Sequence, residues 1–358
     1  MPDNLSGPLL ELADSVITGK PRPGLPPQWD ADDWNEFPGV VLRGELDPLV
    51  GHWFSEESLR PPRWARHAFR ASLHYHRQRN TAMVAEARRV QEAAAAAGVP
   101  LVFRKGAAVC TDYPDLGLRP FTDLDVLIRK EDAPAVAEAL AGIGYQQASN
   151  VPGKQLDRQT RLFYALATTA IPPFFRTSDD PFLPFLSVDC ATTIHLPRSE
   201  YGFDFDDTYR TARVHEETGL TVAGGLHLAI DLCANLFITN TTVHYLRQER
   251  HHRLTPFLDL HLTLHRNTGL LEELVDHALR HRNVEPVAFS LGNLHRLFPS
   301  DELNRAYERL APHSADSRLL DRYAQMEVAP GLVWDKDLRA RMFSTATPPE
   351  LPEAAVAL

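Results

Sequence analysis

Cysteine is scarce: Cys110, Cys190 and Cys233 are the only three, odd in number and far apart. That pattern offers neither a disulfide framework nor a zinc ligand set, and it fits a reducing compartment. Long apolar runs are missing too. No stretch of about 18 uncharged apolar residues occurs, which argues against a membrane-spanning helix. The opening "MPDNLSGPLL" has no basic segment ahead of an apolar core, so it does not read as a secretory signal. A cytoplasmic location is the expectation. Positive charge is in deficit: 37 Lys and Arg against 47 Asp and Glu give a net charge of −10. Such a chain repels a phosphate backbone, so a nucleic-acid partner is disfavoured, and bound phosphates need metal ions and a few chosen cations. The Walker loop, the Rossmann glycine fingerprint and the nucleophile elbow of serine hydrolases are all absent.

What is present fits a chain of 358 residues with room for two modest domains. Residues 1–18 place Leu9, Leu10, Ala13, Val16 and Ile17 on one side of a short helix. "GKPRPGLPPQWD" follows, too proline-rich for a helix or a central strand. Trp34, Trp53 and Trp64 mark a packed layer over 31–64, and 65–98 reads as a long helix stopped by Gly98 and Pro100. Three strands are expected, "LVFRKG" (101–106), "TDLDVLIR" (122–129) and "LSVDCATTIHL" (186–196). "AAVCTDYP" forms a short helix after the first, and a second helix spans 132–143. Beyond about residue 224 the chain is mostly helical, and "TPPELPEAAVAL" is a loose tail.

The segment 122–129 carries the chemistry. On a strand, residues i and i+2 share a face, so Asp123 and Asp125 project into one pocket. Adjacent carboxylates raise each other's pKa unless a cation sits between them. One magnesium ion or a pair removes that conflict, since magnesium takes a few carboxylates together with substrate phosphates. Gly106, at a strand-to-helix junction, would let backbone approach a phosphate. Lys105 and Arg119 could meet a triphosphate as a point charge and a fork.

Lys105-Gly106, Gly117-Leu118-Arg119, Asp123-Leu124-Asp125 and Gly144-Tyr145 together resemble a bacterial nucleotidyltransferase family of the polymerase-β-like superfamily. The likeness extends over roughly 75–270, including an apolar run around Asp259 in "RLTPFLDLHLTL" (253–264), and is specific over 103–145. The wider superfamily usually has Gly-Ser where Lys105-Gly106 stands. The narrower family tends to carry Asp-Leu-His-Trp on its third strand, and "VDCATTIHL" fits that in two registers. One keeps the acid at Asp189; the other keeps His195 and puts Thr193 at the acid's place. Asp189 is preferred, because a third carboxylate serves as a shared metal ligand or general base. Thr122, Thr193 and His195 remain pocket candidates.

The resemblance implies an α/β fold: a small mixed-sheet nucleotidyltransferase core flanked by an N-terminal helical segment and a C-terminal helical region. The expected division is 1–74 helical or irregular, 75–222 core, 223–345 helical and 346–358 tail. The expected activity moves an NMP group from an NTP such as ATP to a hydroxyl or similar nucleophile of a small molecule or peptide, releasing pyrophosphate, with Mg2+ or Mn2+ on Asp123, Asp125 and Asp189. Lys105, Gly106 and Arg119 would bind phosphate, and helices after 224 would line the acceptor pocket. An inactive nucleotide-binding or protein-interaction module is the alternative. An Asp-x-Asp glycosyltransferase is weaker, because the helical first hundred residues supply no doubly wound domain. The spacings His261/His265 and His277/His281 lack a zincin glutamate and read as helix-face or packing residues, and the basic stretch 245–254 reads as a solvated helix end, with a cationic rim near the triphosphate or acceptor as the alternative.

Overall fold

A computed structural model describes residues 2–148, 156–197, 199–248, 250–324 and 331–343; the expected tail 346–358 lies outside them. The chain divides into two units, Met1–Leu73 with Leu232–Leu358, and His74–Asp231. Helices α1 (Pro2–Thr18), α2 (Ala31–Arg43) and α3 (Asp47–Trp53) open the first unit, and α4 (Arg63–Ala96) carries the chain into the second. There follow β1 (Val102–Phe103), α5 (Lys105–Val109), β2 (Leu124–Leu127), α6 (Ala133–Gly142), β3 (Gln146–Gln147) and α7 (Arg158–Ala167). Next come β4 (Phe174–Thr177), β5 (Phe185–Ala191), α8 (Phe205–Arg210), β6 (Arg213–Val214) and β7 (Thr221–Val222). Helix α9 (Gly225–Thr241) returns the chain to the first unit, which adds α10 (Val243–Leu246), α11 (Thr255–Arg266), α12 (Leu270–Arg280), α13 (Val284–Leu297), α14 (Asp301–Leu310) and α15 (Leu338–Met342).

The first unit is built on helix faces. Leu9, Leu10, Ala13 and Ile17 are buried on α1, at the spacing the sequence predicts. Asp30 caps α2 by accepting from the amides of Asp32 and Asp33, while the Asp33 carboxylate returns the bond to the Asp30 amide. Trp29 meets Trp34 and Trp53 edge to face at 4.9 and 6.5 Å between ring centroids, with Phe37 and Phe54 beside them. Trp64 departs from the expected layer: at the start of α4 it is 49% exposed.

The second unit holds a mixed seven-stranded sheet in the order β3-β4-β5-β2-β1-β7-β6. β2 lies at its centre, parallel to β5 and antiparallel to β1. The alternation expected along 122–129 is therefore lost in burial: all four residues of β2 are buried, Asp125 included. The strand expected at 186–196 ends at Ala191. Beyond it the amides of Thr192 and Thr193 both donate to the Thr169 carbonyl, and Thr193 Oγ1 accepts from the His195 amide. These bonds turn the chain out of the ladder before Pro197 can end it.

The closing Gly144-Tyr145 has a structural reason. Gly144 sits at φ +93°, where a side chain would be strained, and the turn it makes aims Tyr145 into the core. The Tyr145 hydroxyl donates to Glu86 on α4 at 2.9 Å, and Arg176 on β4 pairs with the same carboxylate at 2.7 Å. Burial and the Glu86 charge hold that hydroxyl protonated, far above the usual phenol range. The architecture is the expected α/β class, a mixed sheet with helical segments before and after it in the chain. Among the described residues no helix is long and apolar enough to cross a membrane.

Candidate active site

The parallel pairing of β2 with β5 sets Asp125 directly opposite Asp189. Neighbouring strands run about 4.8 Å apart, so paired residues place their side chains side by side on one face. Asp123 lies two residues before Asp125 and joins the same face. One carboxylate oxygen from each of the three lies within 4.8 Å of the others. The register that keeps Asp189 as the third acid is thus the one the chain adopts. Thr193 and His195 fall beyond the end of β5; His195 is buried with its ring 5.2 Å from that of Tyr201, and neither joins the three acids. Thr122 precedes Asp123, accepts from Arg79 at its carbonyl (3.3 Å) and lines a cavity of about 280 Å³.

Three carboxylates at this separation repel, and the chain offsets only part of that. Lys105 Nζ donates to Asp125 at 2.6 Å. Burial works against the Lys105 charge, but the Asp125 and Asp123 carboxylates together outweigh it and hold the ammonium above its ordinary pKa. Lys105 has φ +44°, a left-handed backbone that costs a residue with a Cβ about 1–2 kcal/mol. That conformation suits a glycine better than a residue with a side chain. Here a lysine bears the strain and gains the bond to Asp125. At Asp189, burial, then Asp123 and Asp125, push the carboxyl up to about 7, against the opposite pulls of Lys105 and a 3.4 Å bond from Ser187.

Gly106 proves to be a packing position. A Cβ there would lie 2.5 Å from the Cβ of Phe121, the buried residue two places before Asp123. Gly106→Ala is therefore expected to destabilise the protein by about 1–3 kcal/mol, read as a lower urea midpoint at unchanged slope. Arg119 is buried and its guanidinium donates to the Pro120 carbonyl. Asn80 on α4 fixes this turn by donating to the carbonyls of Leu116 (2.6 Å) and Arg119 (2.9 Å).

The sequence reading missed Arg104 and Asp231. Both are buried, and Arg104 donates through Nε to the two carboxylate oxygens of Asp231 at 3.1 and 2.9 Å, with a further bond from Nη2. The Arg104 amide also donates to the Asp125 carbonyl at 3.0 Å. This pair anchors the strand-to-helix junction that presents Lys105. Only the run of an apolar β1 straight into Arg-Lys hinted at it.

The donor set suits a hard divalent cation. All three ligands are carboxylate oxygens, and the excess negative charge that raises Asp189 is what a magnesium or manganese ion would neutralise. The histidine spacings pack as expected: His261 bonds Asp14 at 3.0 Å and stacks on Phe298, while the rings of His277 and His281 stack at 4.2 Å. In the basic stretch, Arg250 lies over the Tyr245 ring, Arg253 pairs with Glu45 at 3.1 Å and buried His251 stacks on Trp334.

A family model described as an uncharacterised nucleotidyltransferase matches residues 30–299, about three quarters of the chain. No curated protein and no solved structure matches it. The match encloses all three acids, Lys105-Gly106 and Gly144-Tyr145, the residues whose geometry has just been described. The chain belongs to this family of uncharacterised nucleotidyltransferases.

Proposed function

We propose that the protein transfers a nucleoside monophosphate from an NTP to a hydroxyl of a small molecule or peptide and releases pyrophosphate. The observation that carries this reading is the convergence of Asp123, Asp125 and Asp189 from two adjacent strands. When bound, a magnesium or manganese ion supplies charge neutralisation at the triphosphate and polarises its α-phosphate. Asp123, immediately before β2, and Asp125 on β2 would hold that ion together with Asp189 on β5. The Asp189 carboxylate, on the acceptor side, takes the hydroxyl proton. The acceptor oxygen bonds the α-phosphorus, and the bond to the bridging oxygen breaks, leaving with pyrophosphate. Lys105, held charged beside the acids, supplies a cation for the triphosphate, with Arg119 as the second expected phosphate contact. A burial-raised Asp189 supports its role as a proton acceptor near neutral pH.

A pH dependence follows. A metal ion binds the ionised carboxylate, so Mn2+ affinity is expected to fall about tenfold per pH unit below about 7 and to level off above about 8. The folded pKa of Asp189 lies above its unfolded value, so its contribution to stability is complete below about 4 and lost as pH rises through about 7. Metal-free protein should therefore melt higher at pH 6 than at pH 8, and saturating Mn2+ should shrink the difference. Calorimetric titrations and melts between pH 5.5 and 8.5 check both slopes.

The function itself is tested by incubating the protein with each NTP, Mg2+ and a panel of acceptors while following pyrophosphate and label from the α-phosphate. Transfer that requires Mg2+ supports the reading. Metal-dependent NTP binding with no transfer to any acceptor supports a binding module instead, and absence of NTP binding contradicts both.

A further inference from the structure

Asp189 belongs both to the acid cluster and to the lining of a cavity of about 140 Å³. The cavity is built wholly within the second unit. Ser187 stands two residues before Asp189 on the same face of β5, and Phe175 on β4 is its direct antiparallel partner. The far wall is the segment between α7 and β4. That segment is pinned to β5, with the Ile171 amide donating to the Cys190 carbonyl at 3.0 Å and Ala170 bridging Ala191.

The chemistry of the walls is uneven. Ala170, Ile171, Pro173 and Phe175 are apolar, and the polar groups are two hydroxyls, Tyr164 and Ser187, and the Asp189 carboxylate. Among the described residues no Lys, Arg or His lines it, so none of them offers a cation to a phosphate or carboxylate inside. A polycation would face one carboxylate and lose its hydration against four apolar walls. The helix that contributes Tyr164 also exposes Leu162, Phe163 and Leu166, each at least half accessible, so the neighbouring surface is apolar as well. For size, an apolar cavity of about 150 Å³ takes up benzene.

We propose that this cavity is the acceptor subsite and that it takes an uncharged alcohol or phenol whose carbon skeleton is about one ring in size. This rests on the nucleotidyltransferase reading and names its acceptor class. With the skeleton against Ile171 and Phe175, the hydroxyl lies at the polar end with Ser187 and Asp189, on the side of the three acids. The product is an NMP ester: acceptor oxygen joins the α-phosphorus, pyrophosphate leaves with the electrons of the broken bond, and the proton passes to Asp189.

The test uses the full chain with p-cresol, benzyl alcohol and isobutanol as uncharged probes, and an aminoglycoside and a short oligoribonucleotide as charged ones. Saturation-transfer NMR with p-cresol reads occupancy without turnover. The expected result is binding of p-cresol to wild type, labelled product from uncharged probes, and at least about tenfold weaker p-cresol use in Ala170→Phe. Magnesium-dependent NTP binding stays unchanged in that variant. Ile171→Ala, which enlarges the cavity, should shift preference toward 2-naphthol. The proposal is overturned by no p-cresol binding to wild type, by transfer confined to the aminoglycoside or oligonucleotide, or by Ala170→Phe weakening NTP binding instead. Wild type that binds no NTP with Mg2+ would sink the nucleotidyltransferase reading itself, a distinct failure.

Discussion

Asp125→Asn is expected to lower nucleotidyl transfer by about 10²–10³-fold or more, with the fold intact. The amide matches the carboxylate in shape but removes the charge that Lys105 engages and that a metal ion would engage. Asp189→Asn should lose transfer to a similar degree for a different reason, because the cluster loses the acid that borders the proposed acceptor cavity. The two variants separate in stability. Asp125→Asn removes the partner of a partly buried ammonium and should melt below wild type. Asp189→Asn removes a buried charge that its neighbours repel, and metal-free protein should melt at or above wild type at pH 8. Pyrophosphate release and thermal melts on the two proteins read this contrast, and a common loss of both folding and activity would count against it.

The second large effect concerns Arg104 and Asp231. Asp231→Leu leaves a buried guanidinium without its carboxylate partner, which costs about 3–5 kcal/mol. The double variant Arg104→Met, Asp231→Leu removes both charges and should recover most of that loss, since a buried pair often contributes little net stability beside apolar replacements. Urea unfolding of the singles and the double gives the coupling directly. Because the Arg104 amide holds the Asp125 carbonyl and Lys105 is the next residue, a stable double variant should still bind metal. Its transfer rate should fall if the pair also positions Lys105.

Local features were the most legible in the sequence. The helix over residues 1–18, the stop at Gly98 and the strand that Asp123 leads into and Asp125 sits on all follow from spacing within a dozen residues. The third acid was legible only through register, and register is a tertiary property: Asp189 counts because β5 pairs with β2 in parallel across 64 positions. Strand length failed where long-range bonds decided it. Thr169, far back in the chain, captures the Thr192 and Thr193 amides, so β5 ends before His195 although the apolar pattern runs on. Arg104 and Asp231 stand 127 residues apart, and no periodicity links them. Gly106 was read for ligand approach, yet the close neighbour is Phe121, which only a folded chain reveals. Lys105 was read as a phosphate contact, and the side chain it meets here is Asp125.

We propose that Asp123, Asp125 and Asp189 jointly hold the divalent ion that nucleotidyl transfer needs. Titration of Mn2+ followed by electron paramagnetic resonance, at pH 8 and with a non-hydrolysable NTP analogue present, tests it most directly. Wild type should take up Mn2+ in a complex with the analogue, and each of Asp123→Asn, Asp125→Asn and Asp189→Asn should weaken it by at least about tenfold. Equal Mn2+ uptake by wild type and all three variants would contradict the account.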